Sequence, residues 1–333
     1  MIKKKLNILI TGADGFIGSH LTERLLSLGH KVTALSMYNS FGHIGWLDDV
    51  LRSPRLNIIR GDIRDYEFIE RNTKKIDVVF HLAALISIPH SYLSYNSYIH
   101  TNVVGTVNLL TACKKNKIKK VLITSTSEVY GSAIKVPMTE DHPLNAQSPY
   151  AATKIAADQI SLSFFRSFNL PVTIIRPFNT FGPRQSTRAI IPTIITQAYS
   201  NKFLKLGNID TKRDFTFIKD TISGFVTAMN TKKIEGETIN ISSGFEISIK
   251  PLIKEIFNIL KLSKKIVIEK KRIRPKKSEV TRLLGSNKKA LKLIKWKPEF
   301  NNIRKFRLAL EETIFWYKKT ENISKFNPNE LFE

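Results

Sequence analysis

"ILITGADGFIGSHL", residues 8–21, decides the fold. Apolar residues from Ile8 to Ile10, then Thr11, read as a short buried strand. An amphipathic stretch begins after Gly15, and Gly12, Gly15 and Gly18 stand at the junction. Glycine there permits a tight turn and lets the backbone approach a pyrophosphate, whose charge then rests at a helix N-terminus. The spacing is Gly-x-x-Gly-x-x-Gly rather than the commoner Gly-x-Gly-x-x-Gly, and a glycine triplet also occurs in ordinary turns. Its position between a strand and a helix at the start of an alternating chain is the context a dinucleotide-binding loop requires.

Outward from this loop, apolar runs alternate with longer amphipathic stretches. Strands are expected at Leu6–Thr11, Lys31–Leu35, Leu56–Arg60, Asp77–Leu82, Lys119–Thr124 and Val172–Arg176, with helices near 15–28, 65–73, 92–115 and 149–168. This rhythm predicts an α/β fold, a Rossmann-type doubly wound parallel sheet covered on both faces. After about residue 180 the elements shorten and a final amphipathic helix, "IRKFRLALEETIFWYKK", follows. Residues 1–180 are therefore expected to form the dinucleotide-binding domain with the catalytic residues, and 181–333 a smaller mixed α/β substrate-binding region, with elements free to interleave.

The 333 residues are 42% hydrophobic and 24% charged, enough for a large core. No window reaches the roughly 20 apolar residues of a membrane span, and "MIKKKLNILITG" has no secretory h-region. A soluble cytoplasmic protein without membrane partners is expected. Cys113, the only cysteine, excludes an intrachain disulfide and cysteine-based zinc sites, and its surroundings "LLTACKKN" suit a packed core thiol. No His/Asp/Glu spacing reads as a metal site. The net charge of +25 could draw nucleic acid or phosphorylated ligands. However, the densest basic run, "KLSKKIVIEKKRIRPKK" (261–277), lacks interleaved aromatics. A solvated lysine-rich face is preferred, with no nucleic-acid partner.

The choice of dinucleotide rests on the end of the second strand. An acid there would bind the ribose 2′-hydroxyl of NAD, and a nearby arginine the 2′-phosphate of NADP. The strand ends "TALSMYNS", with Ser36 in the acid's place and no lysine or arginine from 36 to 46. A 2′-phosphate without a cation is the greater difficulty, so the expected cofactor is NAD, with NADP left open. Asp62, in "RGDI", either accepts from the adenine amino group or caps a helix. Phe16, Ile17, Ile63, Leu82, Ala83, Ala84, Asn102, Tyr150 and Lys154 complete the expected cofactor set.

"SPYAATK" (148–154) places Tyr150 and Lys154 four residues apart, on one face of a helix. A phenol is too weak a base at neutral pH, and a neighbouring ammonium is expected to lower its pKa. Such a pair suits removal of a proton from a sugar hydroxyl while hydride leaves the same carbon. "STSEVYG" (125–131) follows the apolar run Val121–Ile123 and puts the carboxylate of Glu128 at the mouth of the sheet. In a solvated loop Glu128 would need no explanation; at the end of a parallel strand it is a catalytic candidate.

Taken together, "TGADGFIGSHL", "VVFHLAA", "NVVGTVNLL", "STSEVYG", "SPYAATK", "RPFNTFGPR" and "RDFTFIKD" resemble the nucleotide-sugar-modifying branch of the extended short-chain dehydrogenase/reductases, in family order over about residues 6–220. The resemblance implies a 4,6-dehydratase acting on a GDP- or UDP-linked N-acetylglucosamine. Oxidation at C4 acidifies the C5 hydrogen, water leaves from C5 and C6, and hydride returns to C6. Thr126 would hold the C4 oxygen, Tyr150 take its proton and Glu128 act as the C5 base. Ser127 stands where many glucose-type dehydratases have Asp, which leaves the acid for the departing hydroxyl to Glu128 or a water. The alternatives are a UDP-glucuronate decarboxylase, with Arg274 or Arg282 as carboxylate partner, a 4-epimerase, and a non-catalytic dinucleotide-binding regulator. By the same resemblance Asn179, Arg184 and Arg213 meet the substrate, with a structural salt bridge the competing role for Arg184. Glu279, in "RPKKSEVTRLLGS", meets the nucleoside, and Asn102 orders the catalytic segment. His81 reads as hydrogen-bonded support rather than a base. The helices at 92–115 and 149–168 imply a homodimer.

Overall fold

The computed structural model describes residues 5–50 and 53–327. In β1 (Asn7–Thr11) every residue after Asn7 is buried. Ile8 and Ile10 enter one core, while Leu9 enters another on the opposite face of the sheet. Val79 and Phe80 divide in the same way. This two-sided burial follows from the period of two in a strand and calls for helices on both faces.

Six further strands join β1: β2 (Lys31–Met37), β3 (Leu56–Gly61), β4 (Val78–His81), β5 (Lys120–Thr124), β6 (Val172–Pro177) and a strand at Thr238–Ile241. All pair in parallel, in the spatial order Thr238–Ile241, β6, β5, β4, β1, β2, β3. The order reverses between β1 and β4, where Thr11 lies opposite His81. Ligands of such sheets bind beyond the strand ends at this switch point.

The sheet takes one strand from beyond residue 180, so residues on both sides of the expected boundary share it. β6 runs straight on into β7 (Asn179–Phe181), which pairs with Lys212–Phe217, itself paired antiparallel with Glu246–Ser248. A third sheet pairs Phe203–Leu206 with Lys265–Ile268.

The helices are α1 (Phe16–Ser27), α2 (Tyr66–Thr73), α3 (Ile88–Leu93), α4 (Tyr95–Tyr98), α5 (Gly105–Lys115) and α6 (Pro149–Phe168), with others in the C-terminal half. The single helix expected over 92–115 is instead interrupted. α3 ends at Leu93, and a π-helical segment over Ile99–Val104 joins α4 to α5. That wide turn lets Asn102 reach back across the fold. Its amide accepts from Leu85 N–H at 2.8 Å and donates to the Leu85 carbonyl at 2.9 Å and to Thr153 Oγ1 at 3.1 Å. α6 starts where Ser148 caps it, accepting from Ala151 N–H at 3.1 Å, with Pro149 in its first turn. No helix of the described residues is long and apolar enough to cross a membrane.

Candidate active site

A cavity of about 1100 Å³ opens at the switch point. Its floor is the glycine loop. Gly12 has φ +66°, and a Cβ on it would lie 2.7 Å from the Ala83 nitrogen. A Cβ on Gly18 would collide with the Gly12 carbonyl. Gly15 precedes α1 with no side-chain cap, so the first-turn N–H groups remain for a ligand. Phe16, Ile17, Leu82, Ala83 and Ala84 line the same wall. A dinucleotide therefore fits: its pyrophosphate meets bare N–H groups where only glycine leaves room.

The opposite wall is the end of β5 and the start of α6. Thr124, Ser125, Thr126, Ser127, Glu128, Tyr150 and Lys154 all line it. Thr126 breaks the strand and accepts from Glu128 N–H at 3.2 Å, opening a 3₁₀ turn over Ser127–Tyr130. The Tyr150 hydroxyl hydrogen-bonds with Thr126, and the half-buried Glu128 carboxylate acts electrostatically on both Tyr150 and Arg213.

Burial pushes the Tyr150 phenol above its ordinary value, and the Thr126 bond pulls it only part of the way down. The lowering by Lys154 expected from their spacing is not what dominates. The Lys154 ammonium, itself pushed down by burial, donates to the Thr124 carbonyl at 2.7 Å. It ties α6 to β5 and holds Tyr150 one turn away.

The third wall carries the polar groups. Arg213 is buried, with its pKa lowered by desolvation, and faces Glu279 at 3.6 Å. Arg184 lines the cavity, yet its guanidinium forks onto Glu23 at 2.7 and 3.0 Å, so the salt-bridge role is present. Lys271, Arg272 and Arg274 also line the cavity, so part of the basic run faces a ligand site rather than bulk water. Arg282 does not line it and pairs with Glu246 at 2.5 Å. Of the eight buried side-chain atoms without a hydrogen-bond partner among the described residues, five belong to cavity-lining residues: Thr124, Asn179, Gln185, Thr187 and Arg274. Orphaned polar atoms gathered in one cavity mark where a polar ligand would complete them.

Four expected cofactor residues lie off the cavity wall. Asn102 stands behind it, bracing Leu85 and Thr153. Ile63 packs against Gly105, where a Cβ would meet it at 2.7 Å. Asp62 is held by Arg64 at 2.5 Å, and the cap of α2 is Asp65, accepting from Phe68 N–H at 2.9 Å. Ser36 is buried and donates to Asp14 at 3.0 Å.

Sequence reasoning missed a buried pair behind the wall formed by the end of β5 and the start of α6. Asp158 accepts from Arg176 at 2.9 and 3.1 Å and from Ser125 Oγ at 2.8 Å. The signal was available: Tyr150, Lys154 and Asp158 recur every four residues along one helix. His81 has both ring nitrogens bonded, to Thr11 Oγ1 at 2.8 Å and Thr106 Oγ1 at 3.0 Å. Cys113 is buried, and burial pushes its thiol up. No group of three or more metal-ligating side chains occurs among the described residues.

The profile of a family described as GDP-mannose 4,6 dehydratase matches residues 9–305. A dTDP-D-glucose 4,6-dehydratase of Dictyostelium discoideum is 35% identical over 76% of this chain, a match spanning 62% of that relative. A UDP-N-acetyl-alpha-D-glucosaminuronate decarboxylase of Bacillus cytotoxicus is 33% identical over 96% of this chain and 99% of its own. The solved UDP-glucuronic acid 4-epimerase of Bacillus cereus, in complex with UDP-glucuronic acid and NAD, superposes with a TM-score of 0.86 at 31% identity, covering 94% of this chain and 99% of that one.

Proposed function

The chain belongs to this family of NAD-dependent nucleotide-sugar enzymes, the extended short-chain dehydrogenase/reductases, and we propose that it is a 4,6-dehydratase of a GDP- or UDP-linked N-acetylglucosamine. The observation that carries the reading is Glu128. A carboxylate at the rim of β5, beside Tyr150 and in the field of Arg213, is the group a C5 proton abstraction needs.

Gly12, Gly15, Gly18 and the uncapped first turn of α1 would hold NAD, which would supply the hydride acceptor for C4 and the hydride donor for C6. Thr126 orients the C4 hydroxyl and Tyr150 receives its proton, so that C4 becomes a carbonyl. Glu128 then takes the C5 hydrogen, now α to that carbonyl, and the C6 hydroxyl departs as water with a proton from Glu128 or an adjacent water. As hydride adds at C6, a proton returns to C5 from Glu128 or solvent, and Tyr150 releases the C4 hydroxyl proton to solvent. Arg213, Asn179 and Glu279 bind the nucleotide portion from the third wall, as their places in the cavity support.

Arg274 favours a second reading. Its Nη1 is buried in a cavity-lining residue with no hydrogen-bond partner among the described residues, as a cation awaiting a sugar carboxylate would be, and a uronate decarboxylase uses such a group. Arg282, bound to Glu246, is not available for that role. Mass spectrometry of the products from a panel of UDP-, GDP- and dTDP-hexoses, hexosamines and uronates separates the readings. Loss of water from one donor supports the dehydratase; loss of carbon dioxide from a uronate transfers Glu128 to the decarboxylase; no mass change leaves epimerisation or an idle fold.

The assembly is proposed to be a homodimer. Leu93, Tyr95, Ile99 and Val104 expose apolar side chains along α3–α5, beside α6. Sedimentation as a monomer at micromolar concentration would refute this.

A further inference from the structure

The end of β2 lacks the acid that reads an adenosine ribose, yet a carboxylate occupies its neighbourhood. Asp14 lies inside the glycine loop and lines the cavity. Its Oδ2 accepts from Ser36 Oγ at 3.0 Å and from Met37 N–H at 3.1 Å, both at the end of β2. Its backbone carbonyl accepts from Trp46 N–H at 3.0 Å, so the loop after β2 closes on the same residue. Oδ1 has no hydrogen bond and no ion pair among the described residues, and Asp14 is only half-buried. One oxygen thus anchors the carboxylate, and the other is left without a protein partner among the described residues on a residue that lines the cavity.

We infer that Asp14 reads the adenosine ribose of the dinucleotide in place of the missing β2 acid, accepting from the 2′-hydroxyl and excluding a 2′-phosphate. Ser36 then has a positioning role: it fixes the carboxylate that a longer acidic side chain at its own position would otherwise supply. The surroundings offer a 2′-phosphate little compensation. Residues 36–46 contain no lysine or arginine, and His43 faces Asp48 at 3.9 Å. Arg60, opposite Ser36 across the sheet, donates to the Gly42 carbonyl at 2.8 Å. Lys325, which reaches this loop from the C-terminal segment, lies over the Trp46 ring at 4.9 Å. The inference concerns the dinucleotide alone and holds whichever sugar reaction follows.

The test is calorimetric titration of cofactor-stripped protein with NAD and with NADP, without a sugar substrate. Asp14→Asn keeps an oxygen for Ser36 and Met37 while removing the charge. It is expected to weaken NAD roughly ten- to hundredfold, the range for a charge-assisted hydrogen bond, and to narrow or invert the preference over NADP. Adding Ser36→Asp to Asp14→Ala returns a carboxylate to the β2 end and is expected to restore NAD preference. Equal weakening of both dinucleotides by Asp14→Asn, with an unchanged preference ratio, would overturn the inference and leave Asp14 as a loop brace only. An unaltered NAD affinity in a folded variant would overturn it as well.

Discussion

Lys154 donates its ammonium to the Thr124 carbonyl at 2.7 Å, and so pins the face of α6 that carries Tyr150 to the open end of β5. Tyr150, the proposed base, and the strand end that presents Thr126 and Glu128 are one mechanical unit. Because burial raises the Tyr150 phenol, the proton-accepting form is scarce at neutral pH, and the rate of C4 oxidation is expected to rise with pH above neutrality. Tyr150→Phe is expected to lower kcat roughly 10²–10⁴-fold, the usual worth of a positioned general base, with KM little changed. Single-turnover absorbance of reduced nicotinamide reads the step directly.

Glu128→Gln separates the two halves of the proposed reaction. The amide cannot take the C5 hydrogen, while Tyr150 and Thr126 remain to oxidise C4. In deuterated water the wild-type enzyme is expected to introduce deuterium at C5, and the variant to accumulate reduced cofactor without exchange. Normal water loss from the variant would remove Glu128 from the mechanism.

Asp158 and Arg176 form an ion pair with side chains 0% and 4% exposed. Breaking one half leaves a buried charge, so Asp158→Asn is expected to cost about 3–5 kcal/mol in denaturant unfolding. Replacing both by apolar residues of similar volume is expected to recover most of that loss. A single variant as stable as the wild type would show that the pair is not sealed from water.

His81 sets an acid limit on stability. Thr106 Oγ1 donates to the Asn102 carbonyl at 2.6 Å, so it accepts from His81 Nε2–H, and Nδ1 accepts from Thr11. A second ring proton would face the Thr11 hydroxyl, whose oxygen already accepts from Leu82 and Ala83 N–H. Burial lowers the His81 pKa to about 3. The unfolded chain therefore binds this proton from pH ~6.5 downward while the folded chain does not. Stability is expected to fall with decreasing pH over that window by about 1.4 kcal/mol per unit. His81→Gln should flatten the slope between pH 7 and 5 in thermal or urea unfolding; an identical slope would exclude His81 as its source.

Much of the fold was legible because its signals are local. The apolar runs of β1, β2, β4, β5 and β6 matched their strands to within two residues at each end, since strands inside a parallel sheet are buried on both faces and read as near-continuous apolar runs. The interruption between Ser94 and Gly105 was not legible. The π-helical part of it goes with the side chain of Asn102 reaching Leu85 and Thr153, and the bond to Thr153 crosses 51 positions.

By itself the sequence determined the glycine loop at the first βα junction, the spacing of Tyr150 and Lys154, and the place of Glu128 after a buried strand. Each depends only on residues within one turn or one strand. The tertiary structure alone decided where the long polar side chains point. It turned Asp14 onto the end of β2, bound Arg184 to Glu23 and Arg282 to Glu246, left Arg274 facing the cavity, and brought Thr238–Ile241 back into the main sheet. A charged side chain near a loop takes the partner that chain topology brings within reach. That partner here lies from 22 to 161 residues away, beyond any local pattern.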